Sequence, residues 1–454
     1  MSPAQLARRE EPHAMRVLLA RLNNYLSGNT PLEDLASTAA EQGMLCWIVG
    51  GALRDVLLGR PVSDIDLATV GDPTELARTW ARKQQAHWFW LDEPRRQSRV
   101  LLRYGQLEFF FDFAPLRAET IQQDLALRDF TINALAIPLQ TPLMDQPLLD
   151  FVDGVSDLKL GQLSCCGPSS LSDDPLRVLK GVRHSVSLDF HLSDTCRTQM
   201  KAAIPGVDHV AAERKRNELG RILSATDPSE GLRQLAGLGL LPCLFGPADR
   251  SFDLDVALAE VQSLTAELNR FADQATLVAE LQAGFDETLD RRSLLLLAGF
   301  LKHYQPADLV AVLNENLRFS RKSASVLCAL VPLDLSDIDP LFKVLDHSRR
   351  AFLWIESRGT TALDQILFYV ATQKNTIPLE MLGQLFEGYA QSLEHDRIPH
   401  LLTGGMILKK FPDVSRHNIG TFQKQIKDLE IEGEIRSRKD AERYLAAEIS
   451  IDKD

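Results

Sequence analysis

The chain has 454 residues, of which 45% are hydrophobic and 25% charged, and its formal net charge is −12. This length is too great for one hydrophobic core and predicts several domains of ordinary globular composition. A negative net charge is unusual for a protein that binds nucleic acid. Lysine and arginine nevertheless outnumber acidic residues over 174–221 and 409–440, so the charge does not exclude local RNA binding.

Targeting signals, zinc sites and redox motifs are not indicated. The N-terminal stretch has no apolar run of signal-peptide length, and no segment reaches the length of a membrane span. We therefore expect a cytoplasmic protein. The six cysteines show neither a CxxC pair nor the histidine spacing of a zinc site, so we expect them to be reduced and packed.

Local patterns predict helices first, then a mixed α/β region, then helices again. Residues 1–44 are expected to be helical, with one helix starting at Thr30-Pro31. From Leu45 the pattern changes to strand, turn, helix and strand. Beyond Ser170 no strand is expected, and Leu294 to Tyr304 reads as part of a helical scaffold.

The most informative stretch runs from Ile48 to Leu67. Two glycines, Gly50 and Gly51, end an apolar segment at the start of a helix, where freed backbone N–H groups can cradle phosphates. Asp64 and Asp66 then alternate with apolar residues, which predicts a strand with both carboxylates on one face. Such a pair can hold two Mg²⁺ ions that activate an attacking hydroxyl and stabilise leaving pyrophosphate.

Asp112 is the candidate third catalytic carboxylate. It lies within the apolar strand Leu107 to Phe113, where burial of an unpaired charge is costly. A metal shared with Asp64 and Asp66 would supply a partner. The alternative is an edge-strand aspartate that pairs with an arginine such as Arg117.

Three motifs together resemble a known family. They are the stretch from Ile48 to Leu67, the segment Leu127-Arg-Asp-Phe-Thr-Ile-Asn-Ala-Leu-Ala136, and Asp173-Asp-Pro-Leu-Arg-Val-Leu-Lys-Gly-Val-Arg183. The chain is similar here to the class II branch of the polymerase-beta-like nucleotidyltransferases, which includes bacterial CCA-adding, CC-adding and A-adding enzymes and poly(A) polymerases. The resemblance is dense from about residue 45 to 225 and returns at Leu402-Thr-Gly-Gly405 and after Glu432.

The resemblance implies nucleotide-binding roles along these motifs. The implied nucleotide-binding residues are Gly50, Gly51, Arg54, Arg128, Asp129, Asn133, Asp174, Arg177, Lys180 and Arg183. The stretch from Asp174 would act as an amino-acid template for the incoming base. Its charged residues recur every three positions, and a carboxylate with a guanidinium matches the donor and acceptor edge of C or A. The alternative for this stretch is a set of ion pairs on a solvated helix.

Departures from the family pattern bear on the choice of nucleotide. Lys180 stands where the family usually has arginine, and lysine is a point charge without a planar fork. Leu127 replaces an arginine, and Asp173 replaces a glutamate. Asp153-Gly154 replaces a Gly-Gly pair, and no arginine occurs from Gln162 to Ser170.

The predicted fold class is α+β, with an N-terminal mixed-sheet nucleotidyltransferase head followed by an all-helical neck, body and tail. The expected divisions are 1–44 for an N-terminal helical extension, 45–165 for the head, 166–230 for the neck, 231–400 for the body and 401–454 for an RNA-binding tail. The His-Asp pair with which a phosphohydrolase domain begins in some relatives is missing near Leu294, so no such activity is expected.

By resemblance, the expected activity is template-independent addition of CMP and AMP to the 3′ end of tRNA. CTP and ATP would be the substrates and Mg²⁺ the metal, with Asp64 and Asp66 as its ligands. CC-only addition, A-only addition and poly(A) synthesis stay open, because the head residues are common to all four. An RNA-binding regulator that has lost activity, or an enzyme that modifies a small molecule, is the alternative from another class.

Overall fold

The computed structural model describes residues 13–27, 29–104, 107–338, 348–373, 382, 400–412 and 414–451. These belong to two compact units, one within residues 1–211 and 237–240 and the other within 212–236 and 241–454. A mixed sheet lies in the first unit, and the rest is mostly helical, which confirms the predicted α+β class. Segments 1–12, 339–347, 374–381 and 383–399, which fall in the predicted extension and body, lie outside the described residues.

A seven-stranded mixed sheet organises the first unit. Its strands are β1 Cys46–Val49, β2 Asp64–Thr69, β3 His87–Asp92, β4 Gln97–Tyr104, β5 Leu107–Pro115, β6 Leu135–Pro138 and β7 Leu149–Asp150. Their order is β3-β4-β5-β2-β1-β6-β7. The β2–β5 pair is parallel and the other pairs are antiparallel. β2 therefore lies at the centre of the sheet, with β5 and β1 beside it.

Alternation along β2 and β5 gives the sheet one buried face. Ile65 and Leu67 are buried, and so are Phe111 and Phe113 on β5. Trp80, fully buried, packs edge-on against Phe111 with ring centroids 4.7 Å apart. Since successive side chains alternate across a strand, Asp64, Asp66 and Asp112 share the opposite, open face.

Helices cover the buried face and extend the first unit. They are His13–Leu26, Thr30–Glu41, Gly51–Leu58, Thr74–Lys83, Ile121–Ala126, Gly154–Leu160, Ser170–Asp173, Leu176–Leu188 and Asp194–Val207. The helix predicted to start at Thr30-Pro31 is confirmed, with Pro in its first turn, where the missing N–H costs nothing. A short parallel pair, β8 Gln162–Leu163 and β9 His191–Leu192, joins the segments on either side of Leu176–Leu188.

The helices that follow Ala211 account for most of the second unit. They are Ala212–Leu223, Pro228–Leu238, Leu241–Phe245, Leu254–Asn269, Ala275–Leu281, Arg291–Tyr304, Leu309–Ala311, Arg321–Leu330, Ser348–Arg358, Ala362–Thr372, Gly404–Lys410, Ile419–Glu432 and Arg438–Ile451. None of the helices in the described ranges is long and apolar enough to cross a membrane.

The prediction that no strand lies beyond Ser170 is wrong at two places. β9 follows the helix Leu176–Leu188, and the hairpin of β10 Gly284–Asp286 with β11 Leu289–Asp290 precedes Arg291. Strands of two or three residues are too short to show the alternating pattern on which the expectation rests. The helical scaffold expected at Leu294 to Tyr304 is confirmed as the buried helix Arg291–Tyr304, where Arg291 Nε donates to Asp364 at 2.8 Å.

Candidate active site

Three carboxylates mark the open face of the sheet. Asp64 and Asp66 lie two residues apart on β2, and Asp112 lies directly opposite Asp66 in the parallel pairing with β5. A cleft of about 460 Å³ opens beside them and is lined by Asp66 and Asp112. Its charged lining comprises Asp66, Asp112, Arg117, Asp124, Arg128 and Lys180. The structure thus brings the predicted carboxylates together with two of the predicted basic residues, Arg128 and Lys180.

Asp112 has a close basic partner. Arg99 lies opposite it on the antiparallel strand β4, and its Nε and Nη2 donate to the two oxygens of Asp112 at 2.6 and 2.8 Å. The alternative for Asp112 is right in that the carboxylate pairs with a nearby arginine, but the partner is Arg99 and not Arg117, and the strand is not at the edge of the sheet. β5 is an interior strand, and Arg117 pairs with Asp124 at 2.9 Å.

The glycine turn brings backbone close to Asp66. Gly50 has a φ of +83°, a conformation that a side chain disfavours. A Cβ on Gly50 would lie 3.0 Å from Arg128 Nη1 and 3.2 Å from Asp66 Oδ2. Gly51 begins the helix Gly51–Leu58, as the motif predicts. Only glycine leaves this corner of the site open for a ligand.

A hydrogen-bonded chain connects the glycine helix to the turn after Arg128. Arg54 Nη1 donates to Asn133 Oδ1 at 2.6 Å, while its Nη2 donates to Asp55 at 2.7 Å. Asn133 Nδ2 donates to Asp129 Oδ1 at 3.1 Å and lies 3.4 Å from His184 Nε2. The family motif residues Arg54, Asp129 and Asn133 therefore form one network, in which Asn133 is buried and the other two are half-buried.

His184 continues that network onto the helix Leu176–Leu188. Arg183 Nη2 lies 3.1 Å from His184 Nε2, and since a guanidinium only donates, Nε2 must be the acceptor. Burial, with the charges of Arg183 and Arg54, lowers the pKa of His184 well below its usual value. The imidazole is therefore neutral, with its proton on Nδ1, and sequence reasoning did not identify it.

Asp124 is a second residue that sequence reasoning missed. Its carboxylate is almost fully buried and accepts from Arg117 Nε at 2.9 Å and from Arg128 Nη2 at 3.2 Å. Burial raises the pKa of Asp124, but the hydrogen bond and charge of Arg117 and the charge of Arg128 outweigh burial and lower it. The ionised carboxylate holds two arginines at the wall of the cleft.

The expected template stretch is half-buried instead of solvated. Asp174 precedes the helix Leu176–Leu188, while Arg177, Lys180 and Arg183 lie within it. Arg177 donates to three backbone carbonyls, those of Ser170 at 2.8 Å, Leu127 at 3.1 Å and Arg128 at 3.3 Å. A half-buried arginine that donates to backbone carbonyls is unlike a solvated ion pair, so Arg177 also fixes the backbone that carries Arg128.

The departure at Asp153-Gly154 has a structural explanation. Asp153 has a φ of +63°, a left-handed conformation that aspartate tolerates better than most residues. Gly154 cannot be replaced by a residue with a side chain, since a Cβ there would overlap the Thr131 carbonyl oxygen. The turn therefore keeps the contact that holds the 3₁₀ segment Thr131–Asn133 in place.

Electrostatics at Asp66 indicate whether a metal fits. Partial desolvation raises the pKa of its carboxyl. Arg128 lowers it, Asp112 and Asp64 raise it, and the net direction is upward. A divalent cation would relieve this repulsion, and carboxylate oxygens are ligands that Mg²⁺ prefers. In the described part of the chain, no three His, Cys, Asp or Glu side chains form a ready-made metal cage. The donor set thus fits Mg²⁺ that also uses water or substrate oxygens as ligands.

A carboxylate pair on the open face of a mixed sheet, next to a glycine turn at a helix start, defines a nucleotidyltransferase head. Residues 46–164 match the family described as "Poly A polymerase head domain", and residues 189–249 match "Probable RNA and SrmB- binding site of polymerase A". The first match spans the seven-stranded sheet, and the second begins directly after the helix Leu176–Leu188.

Full-length relatives agree with this class. The "CC-adding tRNA nucleotidyltransferase" of Geobacter sulfurreducens is 31% identical over 434 residues, which is 94% of this chain and 97% of that protein. The protein of the same name from Synechocystis sp. is 28% identical over 87% of this chain and 92% of its own length. The chain therefore belongs to the polymerase-beta-like nucleotidyltransferase family that contains tRNA nucleotidyltransferases and poly(A) polymerases, as predicted.

A solved structure shows that the fold is shared. "The complex structure of CCA-adding enzyme with ATP" superposes with a TM-score of 0.66 at 23% identity, over 96% of this chain and 98% of that one. The likeness covers the helical part as well as the head.

Proposed function

We propose that this protein adds CMP and AMP, from CTP and ATP, to the 3′ end of tRNA without a nucleic-acid template. The observation that carries the proposal is the position of Asp66, which lies between Asp112 on the neighbouring strand and the Gly50 turn, in a cleft that Arg128 and Lys180 also line. Full-length similarity to tRNA nucleotidyltransferases supports tRNA as the substrate.

The triphosphate is assigned to the corner next to Gly50 and Gly51. Backbone N–H groups at a helix start favour phosphate, and the absence of a Cβ at Gly50 leaves room there. Arg128, held by Asp124, supplies positive charge at this corner. Arg54, Asp129 and Asn133 fix the arrangement through their hydrogen bonds.

Asp64 and Asp66 are the proposed Mg²⁺ ligands, with Asp112 as the third catalytic carboxylate. When bound, the two metal ions would lower the pKa of the attacking 3′ hydroxyl and stabilise the charge on the pyrophosphate that leaves. Arg99 keeps Asp112 aimed at this site through two hydrogen bonds.

Base choice is assigned to Asp174 and Arg177, with Lys180 and Arg183 completing the nucleotide-binding wall. A carboxylate accepts from the amino group of C or A, and a guanidinium donates to the adjacent ring nitrogen. U and G present a carbonyl there, so they are refused. Lys180 lines the cleft over the carboxylates and is suited to phosphate contact.

The division into extension, head, neck, body and tail at the predicted boundaries is part of the proposal, as are the RNA-binding role of the tail and a location in the cytoplasm. In the tail, Thr403 caps the helix Gly404–Lys410 by accepting from the Met406 N–H at 3.3 Å. Ile407, Phe422, Ile426 and Leu445 bury a small core of their own. This packing supports a folded tail.

CC-only addition is the second candidate. It is favoured by the names of the Geobacter and Synechocystis relatives, both of which are CC-adding enzymes. The residues around the cleft are those expected for either reaction, because both use the same metal pair and the same template stretch.

One experiment separates these outcomes. tRNA transcripts that end before the first C, after the first C and after the second C are incubated with CTP, ATP or both, next to an unstructured RNA. Full CCA synthesis predicts growth of each transcript to the complete end. CC-only addition predicts that products stop after the second C even with ATP, and long A tails on the unstructured RNA would indicate poly(A) synthesis. No incorporation on any RNA would contradict the proposal and favour a regulator that only binds RNA.

A further inference from the structure

Two cysteines that are far apart in the sequence meet beside the proposed nucleotide site. The sulfurs of Cys165 and Cys196 lie 3.4 Å apart, within hydrogen-bonding distance. Neither spacing nor local motif links them, since 31 positions separate them. The pairing of β8 with β9 brings them together, because Ser193, next to β9, donates its N–H to the Leu163 carbonyl.

The environments of the two thiols differ in a way that suits stepwise oxidation. Cys165 is half-buried, whereas Cys196, in the first turn of the helix Asp194–Val207, is fully buried. The hydrogen bond from Cys196 lowers the pKa of the Cys165 thiol, burial and Asp129 oppose this, and Arg177 adds to the lowering. The pKa of Cys196 is raised, because it keeps its proton in that hydrogen bond and is buried. Cys165 is thus the thiol that ionises and meets solvent.

We propose that Cys165 and Cys196 are a redox modification site that a hydroperoxide converts to a disulfide. This assignment goes beyond the proposed tRNA activity and does not depend on it. In the first step the Cys165 thiolate attacks a peroxide oxygen. An S–O bond forms, the O–O bond breaks, the second oxygen leaves as water or an alcohol after protonation, and Cys165 becomes a sulfenic acid. In the second step the Cys196 sulfur attacks the Cys165 sulfur, the S–S bond forms, and the S–O oxygen leaves as water with the proton of Cys196.

Oxidation would pull on the turn that carries the nucleotide-binding residues. The sulfurs must approach from 3.4 Å to about 2.05 Å. The chain around Cys165 is bonded to that turn by two hydrogen bonds, which together form an antiparallel bridge between Phe130 and Cys165. The Cys166 N–H donates to the Asp129 carbonyl at 3.2 Å, and the Thr131 N–H donates to the Ser164 carbonyl at 3.0 Å.

A shift of the turn would move Arg128 and Asn133 relative to the cleft. Displacement of a positioning element by about 1 Å can cost up to about a hundredfold in rate. The disulfide is therefore expected to suppress nucleotide incorporation, and reduction is expected to restore it. Only the activity measurement rests on the proposed function, whereas detection of the disulfide does not.

The test begins with disulfide mapping of the full-length protein. The protein is treated with hydrogen peroxide at a small molar excess, free thiols are alkylated, and peptides are identified by mass spectrometry before and after dithiothreitol. The expected result is a reducible Cys165–Cys196 cross-link. Alkylation of both thiols after treatment, or a cross-link to another cysteine, would overturn the proposal.

Variants separate the roles of the two sulfurs. Cys196→Ala should leave a Cys165 sulfenic acid that dimedone labels, and Cys165→Ser should abolish both labelling and cross-link. Cys166→Ser is the matched neighbour: burial raises the pKa of this thiol, and its replacement should leave the Cys165–Cys196 cross-link intact. A cross-link to Cys196 that is lost in Cys166→Ser but retained in Cys165→Ser would show that Cys166 is the partner and would contradict the assignment.

Incorporation is measured on the same samples. The expected result is a loss on oxidation that dithiothreitol reverses in the native protein and that Cys196→Ala does not show to the same extent. A mapped cross-link without loss of incorporation would overturn the effect on the turn. A reduced protein without any incorporation would instead count against the proposed function, and the mapping result would still decide the modification site.

Discussion

Arg99 and Asp112 face each other across β4 and β5 and share two hydrogen bonds, Nε to Oδ1 at 2.6 Å and Nη2 to Oδ2 at 2.8 Å. Each carboxylate oxygen keeps a second lone pair. Asp112 can therefore hold Arg99 and still face a metal bound by Asp64 and Asp66. Arg99 acts in this arrangement as a positioning residue behind a catalytic carboxylate.

Arg99→Ala is expected to weaken Mg²⁺ binding and so to raise the Mg²⁺ concentration that incorporation requires. Loss of a residue that orients a metal ligand typically costs about 10- to 100-fold in metal affinity, so the Mg²⁺ concentration at half-maximal rate should rise by that factor. The matched control is Arg103→Ala. Arg103 lies on the same strand and pairs with Glu108 at 2.8 Å, but its side chain is 69% exposed, so its removal should change little. An unchanged Mg²⁺ requirement in Arg99→Ala, or an equal shift in both variants, would contradict this role.

Gly50→Ala is expected to remove activity beyond its effect on stability. The added Cβ would meet both Arg128 and Asp66 in a backbone conformation with φ of +83°. Gly71→Ala is a close control, because Gly71 has φ of +82° and a methyl group added there would meet nothing within 4 Å. Both variants should lose roughly 1–2 kcal/mol of folding free energy from backbone strain. Only Gly50→Ala should lose nucleotide binding, and equal activities at matched folded fractions would refute the phosphate assignment.

Arg177→Ala is expected to relax the choice among the four nucleotides. A good bidentate contact contributes about 1–3 kcal/mol of discrimination, which corresponds to roughly 5- to 150-fold. The measurement is the ratio of kcat/KM values for CTP, ATP, UTP and GTP. Arg197→Ala, an exposed arginine on the helix Asp194–Val207, serves as control. A lower rate with unchanged ratios would mean that Arg177 only holds the carbonyls of Leu127, Arg128 and Ser170.

The pH profile should show an acidic limb set by Asp66. Its pKa is raised above the ordinary range, and metal binding needs the ionised carboxylate. Activity should therefore fall as the pH drops through this raised pKa, at a higher pH than an ordinary aspartate would give. Higher Mg²⁺ should move the limb to lower pH, since the metal competes with the proton.

Asp112→Asn tests whether the acidic limb of the pH profile moves in the direction expected for Asp66. It removes a negative charge that raises the Asp66 pKa and leaves the positive charge of Arg99, which lowers it. The loss of the negative charge and the continued presence of Arg99 should together lower the pKa of Asp66 and move the acidic limb of the residual activity to lower pH. Glu108→Gln, which neutralises the partner of Arg103 farther along β5, is the control and should not move it. A limb that stays in place in Asp112→Asn would contradict the assignment to Asp66.

Local sequence patterns were sufficient to predict those parts of the site in which the functional residues and the buried residues lie within one short stretch. The alternation around Asp64 and Asp66 predicts both the strand and the common face of the carboxylates, because the period of two is a local property. The glycine turn at Gly50 and the helix after it are equally local. These features position the centre of the candidate site.

Other parts of the site depend on partners that only the fold supplies. Asp124 reads as an ordinary helical residue until Arg117 and Arg128 are seen to meet its buried carboxylate. The sequence holds four arginines between positions 95 and 103, and only the strand register shows that Arg99 is the one opposite Asp112. Two-residue strands such as β9 leave no periodic signal, yet β9 helps bring Cys196 to Cys165.

The most direct test of the proposed active site is incorporation by Asp66→Asn. This change keeps the shape of the side chain and removes the charge that would hold the metal. A two-metal site predicts a loss of CMP incorporation into a tRNA transcript that lacks its CCA end by roughly a hundredfold or more, with tRNA affinity in a filter-binding assay close to that of the unaltered protein. Incorporation within a few-fold of the unaltered protein would contradict the two-metal assignment and, with it, the proposed active site.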